Sequence, residues 1–299
     1  MVTTDALSSV LRIMRFKSTV IFNSDKCGSW TADTSGSGRC TFHLISSGDC
    51  FLHMPGETQA TPLSQGDLII FPNDSKHAIT NREDINTAED DLDGCDLEKT
   101  TGLICGFFDF DDPHRNPIIQ ALPEKVLVKG ENNTLEPRLG SLISLMKSEV
   151  DESTTGADVV VDKLTEILFI YAVRSYIKDL SPSCGILAAM SDRQINNALN
   201  AIHDKPEEAW TVEKLANVAG SSRAAFSKTF TELLDLPPMA YVGQWRMRIA
   251  HTALKDGQKG MLEIAESVGY KSEVAFRKAF KQITGITPGA ARKQEAIGI

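Results

Sequence analysis

The chain has 299 residues, of which 41% are hydrophobic and 24% are charged, with a net charge of −9 and a pI of about 5.2. This composition is typical of a globular protein, and it excludes a membrane protein, a small disulfide-rich secreted protein and a disordered chain. The longest apolar run, 167–173, is far shorter than the roughly 20 residues of a membrane span. Because the N-terminal residues also lack a secretory signal pattern, we expect a cytoplasmic protein with no membrane partner.

The charge is divided unequally along the chain. Residues 191–299 contain 15 Lys and Arg against 12 Asp and Glu, whereas residues 1–190 contain 16 against 28. Proteins that bind nucleic acid present positive charge to the phosphates. If this chain binds DNA, its C-terminal part is therefore the part that does so.

Short β-like runs separated by turn residues occupy the chain up to about residue 128. The runs are 19–22, 40–45, 50–54, 68–71, 103–108 and 125–128. This pattern predicts an all-β barrel or sandwich. The polar and acidic stretch 81–100 predicts a long solvated loop.

A helical spacing of apolar residues begins at residue 135. It predicts two helices separated by a break at 151–156. Their apolar stripes indicate either core-facing surfaces or a helix pair that docks a second copy, so a homodimer through 135–180 is a candidate assembly. The Ser-Pro-Ser sequence at 181–183 predicts an interdomain hinge.

The last hundred residues are predicted to be helical and contain an internal repeat. Five residues recur 50 positions further on with the same chemical type: Ser222, Phe226, Lys228, Phe230 and Pro238 match Ser272, Phe276, Lys278, Phe280 and Pro288. In each copy a glycine, Gly220 or Gly269, ends a short amphipathic helix, and the serine caps the next one. The repeat predicts two helix-turn-helix units, at about 211–232 and 262–283.

The second helix of each unit leaves an outward face that is a candidate surface for double-stranded DNA. Its residues are Arg223, Ala224, Ser227 and Lys228 in the first unit and Glu273, Val274, Arg277 and Lys278 in the second, with Arg246 from the connecting helix. Arg and Lys reach guanine edges or phosphates, Glu accepts from cytosine, and Val packs on the thymine methyl. A solvated helix surface is the alternative for each unit alone, but two units in one chain favour DNA.

This region resembles the DNA-binding domain of the AraC/XylS family of bacterial transcription regulators. The resemblance rests on residues 210–216, Pro238, Tyr241, Trp245, Arg246, Met247, Arg248, Ala250, Ile264, Ala265, Gly269, Tyr270, Phe276, Phe280, Gly285 and Pro288. It implies that one monomer places its recognition helices in adjacent major-groove segments, about one helical turn apart. It also implies a transcription regulator, which we interpret as an activator with RNA polymerase as a partner.

The stretch 66–81 resembles the second cupin motif, G(x)5PxG(x)2H(x)3N, with Asp74 in place of the second glycine. In metal-binding cupins the histidine of this motif, here His77, is a ligand beside two histidines and a carboxylate of the first motif. The preceding strand pair holds His43 but no H-x-H pair and no Glu at the expected place. We therefore expect no enzyme activity, with a cupin metalloenzyme as the remote alternative.

The whole N-terminal half resembles the cupin sensor of one AraC/XylS branch, and most closely that of the regulators that respond to reactive chlorine species. The residues that carry this resemblance are His43, Gly48, Gly66, Asp67, Pro72, His77, residues 103–106 and residues 116–123. Those regulators pair an early cysteine with the cysteine of a Cys-Gly motif. The matching positions in this chain are Cys27 and Cys105.

The resemblance implies redox sensing, in which an oxidant attacks a thiolate at Cys27 or Cys105 and a sulfenic acid or disulfide changes the DNA contacts. In a second hypothesis for the signal, Cys27, His43, His77 and Cys105 bind zinc tetrahedrally, and oxidation opens the site. In a third hypothesis, the barrel binds a small-molecule effector and no cysteine has a redox role. The other cysteines, Cys40, Cys50, Cys95 and Cys184, are interpreted as structural.

The sequence thus predicts an α+β chain in three parts. Residues 1–130 form a cupin-type β-barrel that acts as the sensor domain. Residues 131–182 form a helical linker or dimerisation segment, and residues 183–299 form an all-α DNA-binding domain with two helix-turn-helix units.

Overall fold

The computed structural model describes residues 5–14, 16–85, 100–110, 116–130, 136–152, 154–179 and 184–293. The chain divides into two compact units, Phe16–Ser181 and Met1–Arg15 together with Pro182–Ile299. We name them the sensor unit and the DNA-binding unit after the roles that the sequence predicts. The hinge at 181–183, most of the acidic loop and Cys95 lie outside the described residues. Among the helices of the described ranges, none combines the length and apolar character that crossing a membrane requires.

The sensor unit contains two antiparallel sheets. Its strands are β1 (Phe16–Lys26), β2 (Thr31–Ala32), β3 (Cys40–Ser47), β4 (Asp49–His53), β5 (Thr61–Ser64), β6 (Leu68–Phe71), β7 (Ala78–Thr80), β8 (Thr101–Phe110) and β9 (Val126–Val128). One sheet has the order β1-β8-β3-β6-β9 and the other has the order β2-β7-β4-β5. The six predicted runs are confirmed as β1, β3, β4, β6, β8 and β9. The strands that the sequence missed have four residues or fewer, too few to show an alternating pattern.

The core of the sensor unit lies between these sheets. Ile45, Ile69 and Leu103 come from the five-stranded sheet, and Leu52 and Ile79 come from the four-stranded sheet; all are fully buried. Because side chains alternate along a strand, the residues two positions away point to the same interior. His43 and Cys105 therefore share this interior with the apolar core.

One helix of the sensor unit covers the outside of the five-stranded sheet, and a second packs against it. The helices of this unit are α2 (Pro117–Ala121), α3 (Glu136–Glu152) and α4 (Ala157–Asp179). Helices α3 and α4 confirm the predicted helix pair and the break between its members. Phe169 of α4 packs its ring against those of Phe16 and Phe108, at centroid distances of 5.2 and 4.9 Å. The inner face of α4 thus contacts both β1 and β8.

The DNA-binding unit is helical. Its helices are α1 (Ala6–Ile13), α5 (Gly185–Ser191), α6 (Arg193–Asp204), α7 (Val212–Ala219), α8 (Arg223–Leu234), α9 (Pro238–Asp256), α10 (Met261–Ser267), α11 (Glu273–Thr284) and α12 (Pro288–Lys293). The pairs α7–α8 and α10–α11 are the predicted helix-turn-helix units. The hydroxyls of Ser222 and Ser272 cap α8 and α11 by accepting from the amides of Ala225 and Ala275, at 3.3 and 3.2 Å.

Helix α1 belongs to the DNA-binding unit, whereas the sequence analysis placed residues 1–130 together in the sensor domain. Asp5 caps this helix by accepting from the amide of Ser8 at 2.9 Å. Ala6 and Val10 are each 1% exposed, on the face that packs against α6 and α9. The amphipathic pattern of an eight-residue helix shows that one face is buried, but not which unit buries it.

Candidate sensor site and nucleic-acid interface

A cluster of polar side chains lies in the apolar interior of the sensor unit. The antiparallel register of β3 and β8 places His43 directly opposite Cys105, and His43 Nδ1 lies 2.9 Å from Cys105 Sγ. His77, immediately before β7, brings its Nε2 to 2.8 Å from His43 Nε2. The hydroxyl of Thr34 lies beside both rings, 3.0 Å from His43 Nε2 and 3.3 Å from His77 Nε2. We call these four residues the sensor cluster.

The surroundings of His77 determine which atoms of the sensor cluster carry protons. Its Nδ1 lies 2.7 Å from the carbonyl oxygen of Ser75, which only accepts, so Nδ1 donates. In a neutral imidazole the other nitrogen accepts, so His77 Nε2 accepts from the Nε2–H of His43. His43 Nδ1 is then the acceptor for the S–H of Cys105. The hydrogen bonds run in one direction, from the thiol of Cys105 through His43 to His77.

Burial keeps the members of the sensor cluster neutral. It lowers the pKa of His43 to about 3, with a further contribution from the neighbouring His77. It also raises the pKa of the Cys105 thiol to about 12. At neutral pH the pair is therefore a thiol and a neutral imidazole, and the thiolate expected from the sequence is not the resting form of Cys105.

The structure brings together three of the four residues proposed for redox or zinc chemistry, but not Cys27. Cys27 is disulfide-bonded, whereas Cys105 is a free, buried thiol, so these two cysteines are not bonded to each other. The reason is the register: Cys105 lies opposite Phe22 of β1, whereas Cys27 follows the end of that strand. Within the described ranges no three His, Cys, Asp or Glu side chains are placed to hold a metal ion.

Asp74, the departure from the cupin motif, occupies a left-handed backbone conformation with φ of 57°. Asp is one of the few residues besides glycine that adopt this conformation readily. Its carboxylate accepts hydrogen bonds from the amide of Gly38 and the hydroxyl of Ser37. The substitution thus preserves the turn before His77 and adds an anchor for the loop that precedes β3. Neither this anchor nor Thr34 of the sensor cluster gave a signal in the sequence.

The candidate DNA contacts of α8 and α11 lie on outward faces, as the repeat predicted. Arg223, Ala224, Lys228, Val274, Arg277 and Lys278 are exposed, and Ser227 and Glu273 are half-buried. The opposite faces are formed by Phe226, Phe230, Phe276 and Phe280, which are fully buried. The two helices thus bury their aromatic faces and expose the opposite faces, which carry basic side chains together with Ala224 and Val274. Contact of these surfaces with DNA stays a prediction.

Arg246 departs from its predicted role as a DNA contact. Its guanidinium is half-buried, with Nε donating to the carbonyl of Pro206 at 2.7 Å and Nη2 donating to the carbonyl of Glu208 at 2.8 Å. It also lies 5.9 Å from the ring of Tyr270. A Cβ at Gly269 would come within 2.7 Å of the carbonyl oxygen of Glu207 and 2.8 Å of Arg246 Nη2, and the residue has a φ of 80°, so only glycine fits there. Arg246 therefore joins the segment before α7 to the turn between α10 and α11.

Two family matches cover most of the chain. Residues 5–178 match the family described as Cupin. Residues 215–294 match the family described as Helix-turn-helix domain. The first match contains the sensor cluster and the second contains both recognition helices.

Several bacterial regulators are similar to this chain over most of its length. It is 30% identical to the HTH-type transcriptional regulator MtrA of Neisseria gonorrhoeae, over 84% of this chain and 85% of that protein. It is also 30% identical to the HTH-type transcriptional regulator AlkR of Acinetobacter baylyi, over 97% and 99% of the two chains. The RCS-specific HTH-type transcriptional activator RclR of Escherichia coli is 27% identical, over 97% and 98%.

The buried neutral His43 predicts that stability falls in mild acid. Below pH 6.5 the unfolded chain takes up a proton on this histidine, whereas the folded chain does not until the pH approaches 3. From pH 6.5 to pH 5 the free energy of unfolding should fall by about 2 kcal/mol because of His43. Urea unfolding followed by circular dichroism measures this dependence. His43→Gln is the comparison, because the buried His203 titrates in both proteins; an equal dependence in both would contradict the assignment.

The internal hydrogen bonds of Arg246 predict that Arg246→Ala destabilises the DNA-binding unit by roughly 1–2 kcal/mol, since the carbonyls of Pro206 and Glu208 lose a charged donor. Arg246→Lys should restore little of the lost stability, because an ammonium group cannot reach both carbonyls in the same geometry. The control is Arg223→Ala, which removes an exposed arginine. Thermal unfolding compares the three variants; equal stability of the two alanine variants would show that the contacts of Arg246 contribute nothing.

Proposed function

The chain belongs to the AraC family of helix-turn-helix transcription regulators that carry a cupin domain, and from that premise we propose that its cupin domain senses an oxidant and thereby alters promoter binding. The observation that supports this proposal is the hydrogen-bonded sensor cluster, which couples a free thiol to two buried histidines. Similarity to RclR, described as RCS-specific, favours a reactive chlorine species as the oxidant. The relatives are named as regulators, which supports a role without enzyme activity.

The sensor cluster offers a route for the proton that leaves Cys105 on oxidation. Hypochlorous acid converts the thiol to a sulfenic acid: the S–H bond breaks, an S–O bond forms, and the chlorine is reduced to chloride. One proton is released for each thiol oxidised. His43 Nδ1 already faces the thiol, so it accepts this proton as its own Nε2–H passes to His77 Nε2. His77 then carries the positive charge, which the nearby carboxylates of Asp33 and Asp74 stabilise. A thiol held neutral by burial thereby becomes reactive without first forming a free thiolate.

Oxidation would also disturb the packing around β8. A sulfenic oxygen on Cys105 adds a heavy atom to Sγ, which already lies 2.9 Å from His43 Nδ1, in an interior with little free volume. The strand would have to shift against β1 and β3, with which it pairs along most of its length. Strand β1 follows α1 in the chain, and α1 belongs to the DNA-binding unit. We propose that this continuity carries the signal.

We further propose that the regulator is an activator that contacts RNA polymerase and that it acts as a homodimer through 135–180. Apolar side chains exposed on α3 and α4 support the dimer: Leu145, Val159, Val160 and Ile167. Val159, Lys163 and Ile167 are spaced four apart and thus lie on one face of α4. The exposed valine and isoleucine of this face are surface that a second copy would cover.

Phosphate contacts of the recognition helices predict that Lys228→Ala and Lys278→Ala each weaken DNA binding. A lost phosphate contact lowers affinity for all sequences alike and reduces the slope of log K against log salt by about one. Band-shift titrations of the full chain on matched and scrambled duplexes at several salt concentrations measure both effects. Lys205→Ala, an exposed lysine outside both helix-turn-helix units, is the control. Unchanged affinity of both recognition-helix variants would refute the proposed DNA-binding face.

The sensor proposal predicts that Cys105→Ala abolishes the response of DNA affinity to one equivalent of hypochlorous acid. Cys50→Ala is the matched control, because Cys50 is a free thiol in the same core and burial also raises its pKa to about 12. His43→Asn should retain the thiol but slow its oxidation at least tenfold, because the proton acceptor is lost. Mass spectrometry of the Cys105 peptide gives the rate.

Three results would separate the remaining alternatives. A normal response of Cys105→Ala would end the assignment to this thiol. No response of the wild-type chain would leave a regulator controlled by a small-molecule effector. Release of zinc on oxidation, detected by mass spectrometry of the intact native protein, would favour a metal site, against the disulfide bond that the structure gives Cys27.

A further inference from the structure

Val274 is more exposed than any other large hydrophobic residue among those described, with 79% of its surface accessible. It lies in the first turn of α11, the end of a recognition helix that meets the base edges. The major groove offers one apolar group to such a side chain, the C5 methyl of thymine. An exposed valine at this position is therefore suited to read a thymine.

Arg277 is held beside Val274 by an ion pair with Glu273. Glu273 Oε1 accepts from Arg277 Nε at 2.7 Å and from Nη2 at 2.6 Å. Both side chains lie on the exposed face of α11, one turn apart. The pair uses one edge of the guanidinium and leaves the Nη1 edge to donate. Guanine offers two adjacent acceptors, O6 and N7, that match this geometry.

The matching positions of α8 carry different chemistry. Fifty positions earlier, Glu273, Val274 and Arg277 are replaced by Arg223, Ala224 and Ser227. Of these outward positions only the last carries the same residue in both helices, Lys228 in α8 and Lys278 in α11. A contact that both helices make is expected to bind phosphate, which is the same at every base pair. Because Arg223 and Ser227 stand where α11 has Glu273 and Arg277, the two faces present different donors and acceptors and should prefer different bases.

We propose that α11 reads a guanine through Arg277, oriented by Glu273, and a neighbouring thymine through Val274, and that the operator consists of two unlike half-sites. This inference rests on the DNA-binding function proposed above. Val274 and Arg277 are three residues apart, about 4.5 Å along the helix. The guanine and the thymine should therefore lie within about two base pairs of each other.

The first test is selection of bound duplexes from a random library by the full-length chain. We expect a motif with two different halves, one of which contains the guanine and the thymine. Val274→Ala should lose the preference at the thymine alone, Arg277→Ala at the guanine alone, and Glu273→Gln should weaken the guanine preference. Val218→Ala, an exposed valine on α7, should select the wild-type motif.

The second test replaces that thymine with uracil, which removes only the methyl group. The Kd of the wild-type chain should rise roughly fourfold, as expected for the loss of one buried methyl contact. Val274→Ala should bind the two duplexes equally. Equal weakening of both proteins, an unchanged motif for Val274→Ala, or two identical half-sites would overturn the inference. Selection of no motif at all would count instead against the proposed DNA-binding function.

Discussion

Strand β8 lies between β1 and β3, and its pairing with both is the constraint on which the sensor unit depends. The register with β3 sets Cys105 opposite His43, so the contact of thiol and imidazole is fixed by backbone hydrogen bonds. The alternate residues of β8 point to the other side of the sheet, where Phe108 packs on Phe169 of α4. One strand thus carries the reactive group on its inner face and the helix contact on its outer face. A displacement of the Cys105 thiol therefore affects the packing on both faces of the strand.

Burial lowers the pKa of the imidazole and raises the pKa of the thiol in the sensor cluster. Both shifts favour the neutral forms, so the cluster is a neutral hydrogen-bonded chain. Burial disfavours the cationic imidazole of His43 and the anionic form of Cys105 alike. A thiolate–imidazolium pair would require two charges in an apolar interior, at a large cost in solvation. The reactivity of Cys105 must therefore depend on concerted loss of its proton. This explains why Cys50, equally buried, is the informative comparison.

The sequence predicted best what depends on local pattern. The caps at Ser222 and Ser272 and the buried phenylalanines follow from spacing within a single helix, and the structure has them where the repeat placed them. The resemblance found His43, His77 and Cys105, but the contact of His43 with Cys105 depends on strand register, and a shift of one residue would have turned one of them outward. Thr34 carries no pattern at all.

Arg246 and α1 show a second limit of sequence reasoning. An arginine on a helix between two helix-turn-helix units has the chemistry of a phosphate contact. Arg246 instead donates to the backbone carbonyls of Pro206 and Glu208. Whether such a side chain faces solvent depends on the path of a loop. The same holds for α1, whose apolar face could have been buried in either unit.

The placement of α1 makes the sensor unit an insertion within the DNA-binding unit. During synthesis α1 emerges first, whereas α6 and α9, against which Ala6 and Val10 pack, emerge after the whole β-domain. The sensor unit can therefore fold on the ribosome before its host is complete. A fragment that begins near 183 would lack α1 and expose the apolar surface that Ala6 and Val10 cover, so gene truncations that aim to isolate the DNA-binding unit should retain or replace this helix.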